Sequence, residues 1–245
     1  AEKVRKLLLK AVTAAGRIAF GVDALGRGVW PRDEAEVERV IDPEVWSNLR
    51  NPAPVLTGQI ALAVDRSFDR QWWAVVAAQR TDDSRIHLEV GYFQSASTGE
   101  VVAFLEAVIA EWDPCVLVID KKSPANVLEP LLRNVGVEPE MTTAPQMVTA
   151  CGGFYDAAME GTLSHTDQPA LTDAVADAVK RTLPGGDWAW DRASGGGVIA
   201  PLVAASLARW GLVTFGATVT GPVADPSVEH YERVDDEFDA MAVGF

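Results

Sequence analysis

The sequence predicts an α/β protein built on a mixed sheet, an antiparallel meander followed by parallel strands, with helices on both faces. Three observations point there. Three short apolar or alternating segments, Ile60 to Val64, Trp72 to Ala78 and Ile86 to Tyr92, follow one another with only turn-length gaps. A helical repeat then leads into an all-apolar run, Cys115 to Ile119. Beyond it, helical and strand-like patterns alternate. With 245 residues and 48% apolar content, the chain can bury a substantial core, which excludes collagen, coiled coil and extended disorder.

Taken in order, Lys3 to Ala15 reads as a short amphipathic helix, since Lys10 breaks the apolar run that a signal peptide needs. Trp30 to Gln59 reads as an irregular connecting segment, broken by Pro31, Pro43, Pro52 and Pro54, with Pro43 opening a short helix whose first turn is acidic. Ile60 to Val64 is continuously apolar and ends in Asp65, and Trp72 to Ala78 forms a second run. Ile86, Leu88, Val90 and Tyr92 alternate with His87, Glu89 and Gly91, the period of a strand. Val101, Phe104, Leu105, Val108, Ile109 and Trp112 recur at helical spacing behind Ser97-Thr98-Gly99-Glu100, which has the form of a capping box. Cys115 to Ile119 has the unbroken apolarity of a strand covered on both faces, and it ends in Asp120. The intervening helix makes the connection a right-handed parallel crossover. Ser123-Pro124 starts a helix running to Asn134, Met141 to Ala144 forms a short strand, and Pro145 opens a helix through Tyr155 and Met159. Leu171, Val175 and Val179 mark another helix, Trp188 to Trp190 a short strand, and Pro201 to Trp210 a last apolar helix. Three antiparallel strands followed by alternating helix and parallel strand is the order of a ribonuclease H-like core.

The balance of 21 basic against 35 acidic residues, a net charge of −14, argues against a non-specific coating of nucleic acid, though not against a local DNA site. Residues 225–245 hold seven acids against one arginine, so much of the excess lies in a tail. Two cysteines, Cys115 and Cys151, make neither a CxxC pair nor a disulfide framework, which favours a reducing compartment and argues against zinc. No uncharged stretch reaches the ~20 apolar residues of a membrane span. Neither a GxGxxG following a strand nor a GxxxxGK[ST] occurs. Ser194 to Gly197 is a Gly-rich loop that reads as a connector, with phosphate cradling as the other reading.

Asp65 and Asp120 each terminate an apolar strand, and the proposed topology sets those strands side by side. An aspartate at a strand end is ordinary on its own; two meeting at the carboxyl edge of one sheet are not. Open α/β sheets bind at that edge, and Mg²⁺ or Mn²⁺ takes oxygen ligands there while keeping waters and substrate phosphates. Two ions ~4 Å apart activate a water and stabilise the leaving oxygen of a phosphodiester. Arg66, Arg70, Lys121 and Lys122 stand close enough in sequence to contact backbone phosphates, or to be solvated strand-end charges. Asp69 reads as a turn residue, and His165 as one that orders the loop before a helix.

A family resemblance rests on segments that run through most of the chain. Gly26 to Pro31 and Ile41 to Trp46 are followed by Ala63-Val64-Asp65-Arg66-Ser67 and by Val118-Ile119-Asp120-Lys121-Lys122-Ser123-Pro124-Ala125. Ala150 to Asp156, Leu163-Ser164-His165, Gln168 to Leu171, Trp188 to Arg192 and Pro201 to Ala208 continue the series. Together they resemble the nuclease domain of large terminase subunits, the DNA-packaging motors of tailed phages and prophages. The resemblance implies an endonuclease that cuts concatemeric phage DNA, dependent on Mg²⁺ or Mn²⁺ with two ions engaged during catalysis. Asp65 and Asp120 would be the metal ligands. It also implies double-stranded DNA as substrate, the small terminase subunit and the portal protein as partners, and the host cytoplasm as setting. The implied organisation is residues 1–57 as an N-terminal helix and linker from an ATPase domain absent here, 58–211 as the nuclease domain, and 212–245 as an extension with an acidic tail. No ATPase activity is expected of this chain. One departure matters: the family's third metal-binding aspartate falls at Val198, and valine binds no metal. Three readings follow. Asp191 swings in across the Gly-rich loop, two carboxylates suffice, or the domain has lost cleavage and is a DNA-binding module.

Overall fold

The computed structural model describes residues 39–194 and 197–217. The expected N-terminal helix at Lys3 to Ala15, Gly195 and Gly196 of the Ser194 to Gly197 loop, and the acidic tail lie outside them. Eight strands and six α-helices are present among the described residues. They are α1 (Pro43–Asn48), β1 (Leu56–Arg66), β2 (Trp73–Thr81), β3 (Ile86–Gln94), α2 (Thr98–Trp112), β4 (Val116–Asp120), a 3₁₀ turn (Pro124–Val127), α3 (Leu128–Asn134), β5 (Glu140–Thr142), α4 (Ala144–Met159), β6 (Leu163–His165), α5 (Pro169–Ala176), β7 (Lys180–Thr182), β8 (Trp188–Trp190) and α6 (Ala200–Phe215).

The main sheet has six strands in the order β5-β4-β1-β2-β3-β6, and β7 with β8 forms a separate hairpin. β1, β2 and β3 make the antiparallel meander, while β4 pairs parallel to β1 and β5 parallel to β4. This is the predicted mixed sheet in the ribonuclease H-like order. Alternation along β1 and β4 sorts the core into two layers. Leu62, Val64, Leu117 and Ile119 pack with α2 and α3, while Ala61, Ala63 and Val118 pack with α4, α5 and α6.

Helix α2 begins where the capping box predicts. The Ser97 hydroxyl accepts from the Glu100 amide, and the Glu100 carboxylate accepts from the Ser97 amide at 2.7 Å. Helix α6 is buried along nearly its whole length and lies flat on the sheet because Gly211 lacks a side chain. A Cβ there would lie 2.8 Å from Val118 Cγ2 and 3.0 Å from Val116 Cγ1.

The structure departs from the sequence reading in five places. β6 adds a parallel edge strand beside β3, and β7 completes a hairpin with β8. Strand β1 starts at Leu56, and helix α6 runs on to Phe215, past the expected helix end at Trp210. The connecting segment is also less irregular than its prolines suggest. Ile41, Trp46 and Leu49 are buried in the α4–α6 layer, with Trp46 stacked on His165 at 4.0 Å between ring centroids. Burial of these apolar side chains helps to offset the cost of ordering the stretch. No helix among the described residues is long and apolar enough to cross a membrane.

Candidate functional site at the carboxyl ends of β1 and β4

Parallel pairing aligns Val64 with Ile119, so the next residues, Asp65 and Asp120, meet at the same edge of the sheet. By strand alternation they share a face with Ala63 and Val118, the side covered by α4 and α6. Both are almost fully buried, at 1% and 2% exposure. Two carboxylates in so little solvent need compensation.

That compensation comes from Arg192, just beyond β8. Its Nη1 lies 2.9 Å from Asp120 Oδ2 and its Nη2 3.4 Å from Asp65 Oδ1, so one guanidinium bridges the pair. Ser123 Oγ donates to Asp65 Oδ1 at 2.5 Å, and the Lys122 amide donates to Asp120 Oδ1 at 3.1 Å. Among the described residues nothing donates to Asp65 Oδ2, although it is buried. Thr142, which pairs with Asp120 across β4 and β5, also holds its hydroxyl buried without a partner.

Burial pushes the Asp65 carboxyl above its ordinary range; the Arg192 charge and the Ser123 hydroxyl pull it back only partly, and the Asp120 charge adds to the rise. Burial works against the charge on Arg192, but the two carboxylates outweigh it and hold the guanidinium above its usual value. With both acids ionised, two negative charges stand against one positive.

Two hollows meet at Arg192. A cavity of about 170 Å³ is lined by Asp65, Arg66, Asp69, Arg192, Val198 and Ile199. Helix α6 opens onto it with no side-chain cap at Ile199, so the positive end of that helix adds to the field at the carboxylates. The second hollow, a cleft of about 590 Å³, carries Arg70, Lys122, Arg181 and Arg192 together with Phe68 and Asp191.

The residues singled out in the sequence are thus distributed unevenly. Asp65 and Asp120 come together. Asp191 does not join them: its carboxylate accepts hydrogen bonds from Ser194 and from the Ala193 amide, closing its own turn, which holds its carboxyl below the ordinary carboxylate range. Among the described residues no three His, Cys, Asp or Glu side chains form a metal-sized group. Val198 lines the same cavity as Asp65, so an apolar side chain stands where a third carboxylate is expected. Arg70 and Lys122 line the cleft. Arg66 instead lies over the Trp73 ring at 4.4 Å beside the smaller cavity, and Lys121 lines neither. Asp69 accepts from Ser67 and Gln71 in the turn before β2. His165 Nε2 lies 2.9 Å from the Trp46 carbonyl while Nδ1 accepts from the Asp167 amide, which sets a neutral ring in a structural role. Arg192, Arg181 and Thr142 were not singled out as site residues. An arginine two positions past a Trp-Ala-Trp strand carries no local pattern that marks it as an acid's partner.

Fold and site together define an α/β protein of the ribonuclease H-like class with paired acids at the carboxyl edge of its sheet. The sequence matches no family model and no curated protein. Among solved structures the chain is similar to the large terminase of bacteriophage HK97, at 17% identity and a TM-score of 0.60, over 70% of this chain and 43% of that one. It also matches the large terminase nuclease of thermophilic phage G20c at 16% identity and a TM-score of 0.47, over 67% of this chain and 96% of that one. A third match is the large terminase nuclease domain of bacterial virus Sf6, solved with manganese, at 13% identity and a TM-score of 0.47, over 70% of this chain and 98% of that one. The fold is therefore the one seen in the HK97 large terminase, and the chain spans less than half of that protein.

Proposed function

We propose that this chain is the nuclease part of a phage DNA-packaging motor, a metal-dependent endonuclease acting on concatemeric double-stranded DNA. The observation that carries this reading is the meeting of Asp65 and Asp120 at the carboxyl edge of a ribonuclease H-like sheet, beside a cleft lined by Arg70, Lys122 and Arg181.

The donor set fits a hard divalent cation. Both acids present oxygens, and Asp65 Oδ2 is buried with no donor among the described residues. Asp65 and Asp120 would hold Mg²⁺ or Mn²⁺, with Thr142 as a further neutral oxygen nearby. Bound there, such ions supply activation of a water and stabilisation of the leaving 3′ oxygen. The protein's own contributions are positional. Ser123 donates to one Asp65 oxygen and leaves the other without a donor, while the Lys122 amide holds Asp120 Oδ1 and Arg192 holds Asp120 Oδ2. Arg70, Lys122 and Arg181 are suited to hold backbone phosphates, which orients a duplex without reading its sequence. Residues 58–211 would form the catalytic body, with the small terminase subunit and the portal protein as partners.

Supercoiled plasmid incubated with Mn²⁺, Mg²⁺ or EDTA tests the reading, with Asp65→Asn and Asp120→Asn in parallel. Metal-dependent nicking lost in both variants is expected. Cutting that persists in either variant overturns the assigned site. A second reading, a DNA-binding module without cleavage, is favoured by Val198 and by the guanidinium between the acids. It predicts salt-dependent DNA binding and no metal-dependent cutting.

A further inference from the structure

We propose that Arg192 is the resident counter-cation of the Asp65–Asp120 pair, and that a divalent ion enters the site only as this guanidinium leaves it. The inference rests on the nuclease reading and concerns how its site is kept closed.

The geometry is the starting point. Arg192 touches both acids at once, Asp120 Oδ2 at 2.9 Å and Asp65 Oδ1 at 3.4 Å, and so stands between the two carboxylates that would hold a metal ion. A guanidinium and a divalent cation cannot both bind the same faces of two buried carboxylates, because the like charges would meet in a site with little water. Exchange also improves the charge balance. With Arg192 the cluster carries one uncompensated negative charge, and a divalent ion in its place carries none.

The arginine has somewhere to go. It lines both hollows, the cavity beside Asp65 and the basic cleft, and its Nε has no acceptor among the described residues. It sits on a turn-rich segment between β8 and α6, not within a strand or helix. Asp191 tethers that turn through the Ala193 and Ser194 amides, so the backbone can hold while the side chain swings. Facing Arg70, Lys122 and Arg181, the released guanidinium adds a planar, bidentate donor suited to a phosphodiester. The acids thus give up one cation for another, and the freed arginine becomes available to DNA.

The test reads metal binding directly, apart from cleavage. Mn²⁺ affinity is measured by electron paramagnetic resonance on the whole chain and on Arg192→Gln, without DNA. Removing the resident cation is expected to tighten Mn²⁺ binding by about tenfold or more, with Asp120→Asn abolishing it. Because the variant is itself destabilised, the unsubstituted protein provides the second arm. In ¹⁵N-resolved spectra, Mg²⁺ is expected to move the Arg192 guanidinium signal from its ion-paired position to that of solvated arginine, with the same midpoint as Mg²⁺ binding by calorimetry. Equal Mn²⁺ affinity in the two proteins, or an Arg192 signal unmoved at saturating Mg²⁺, overturns the exchange and leaves the nuclease reading standing. Failure of both proteins to bind any metal overturns the exchange and the metal site together.

Discussion

Replacing Arg192 with glutamine separates the charge at this site from its shape. The guanidinium is bound to Asp120 at 2.9 Å and to Asp65 at 3.4 Å, and the acids are 2% and 1% exposed. Deleting one partner of a buried ion pair costs about 3–5 kcal/mol, because an uncompensated charge stays behind. The arginine side chain is itself 19% exposed, and one acid can take up a proton, so the lower end applies, about 3 kcal/mol at pH 8. For a domain of this size that is a fall in Tm of roughly 6–12 °C. The loss must also depend on pH with a definite sign. Burial already raises the Asp65 carboxyl from 3.8, and without Arg192 it rises further. An acid with a raised folded-state value contributes stability that is complete below its unfolded value and is lost as pH rises through the folded one. The deficit of Arg192→Gln is therefore small near the unfolded value of 3.8 and grows toward pH 8. Urea unfolding followed by tryptophan fluorescence at several pH values measures it. A variant within about 0.5 kcal/mol of the parent at pH 8, or a deficit that shrinks as pH rises, refutes the reasoning.

Three further predictions follow from the packing. Gly211→Ala gains about 1 kcal/mol of helix propensity, but its Cβ would lie 2.8 Å from Val118 Cγ2; a net loss of about 1–2 kcal/mol in urea unfolding is expected, and a stabilised variant would contradict the close seating of α6 on β4. His165 is buried, which depresses its folded value below 6.5, so its contribution to stability is full above that pH and declines as pH falls through the depressed value; an NMR titration midpoint at or above 6.5 would show the ring to be less enclosed than the structure has it. Burial pushes the Cys151 thiol up to about 12, so at pH 8 a thiol reagent should leave it unmodified in the native protein and label both cysteines only in denaturant; rapid native labelling of Cys151 would contradict its enclosure.

The sequence made the elements with strong local signals legible. Continuous apolarity identified β4, alternation identified β3, and Ser97 with Glu100 located the start of α2 within a residue. Asp65 and Asp120 were legible as a pair because each closes an apolar run and the order of elements puts those runs side by side. The three-residue strands β6 and β7 were not, since segments so short are defined by their partners and not by any period of their own. The connecting segment was read as irregular because four prolines break its pattern, yet Ile41, Trp46 and Leu49 are core residues.

Sequence alone therefore determined the fold class, the edge of the sheet where chemistry would gather, and the acids that stand there. Those features follow from periodicity, caps and strand order, each encoded within a few neighbouring residues. Only the tertiary structure decided what surrounds the acids. It set Asp191 to closing its own turn, lined the cavity beside Asp65 with Val198, and brought Arg192 to Asp65 across 127 positions of chain. The physical reason is that a buried charge takes its partner from whatever residue the fold delivers to it. That delivery depends on how α6 packs against the sheet and how the β7–β8 hairpin packs against α4, which no local pattern records.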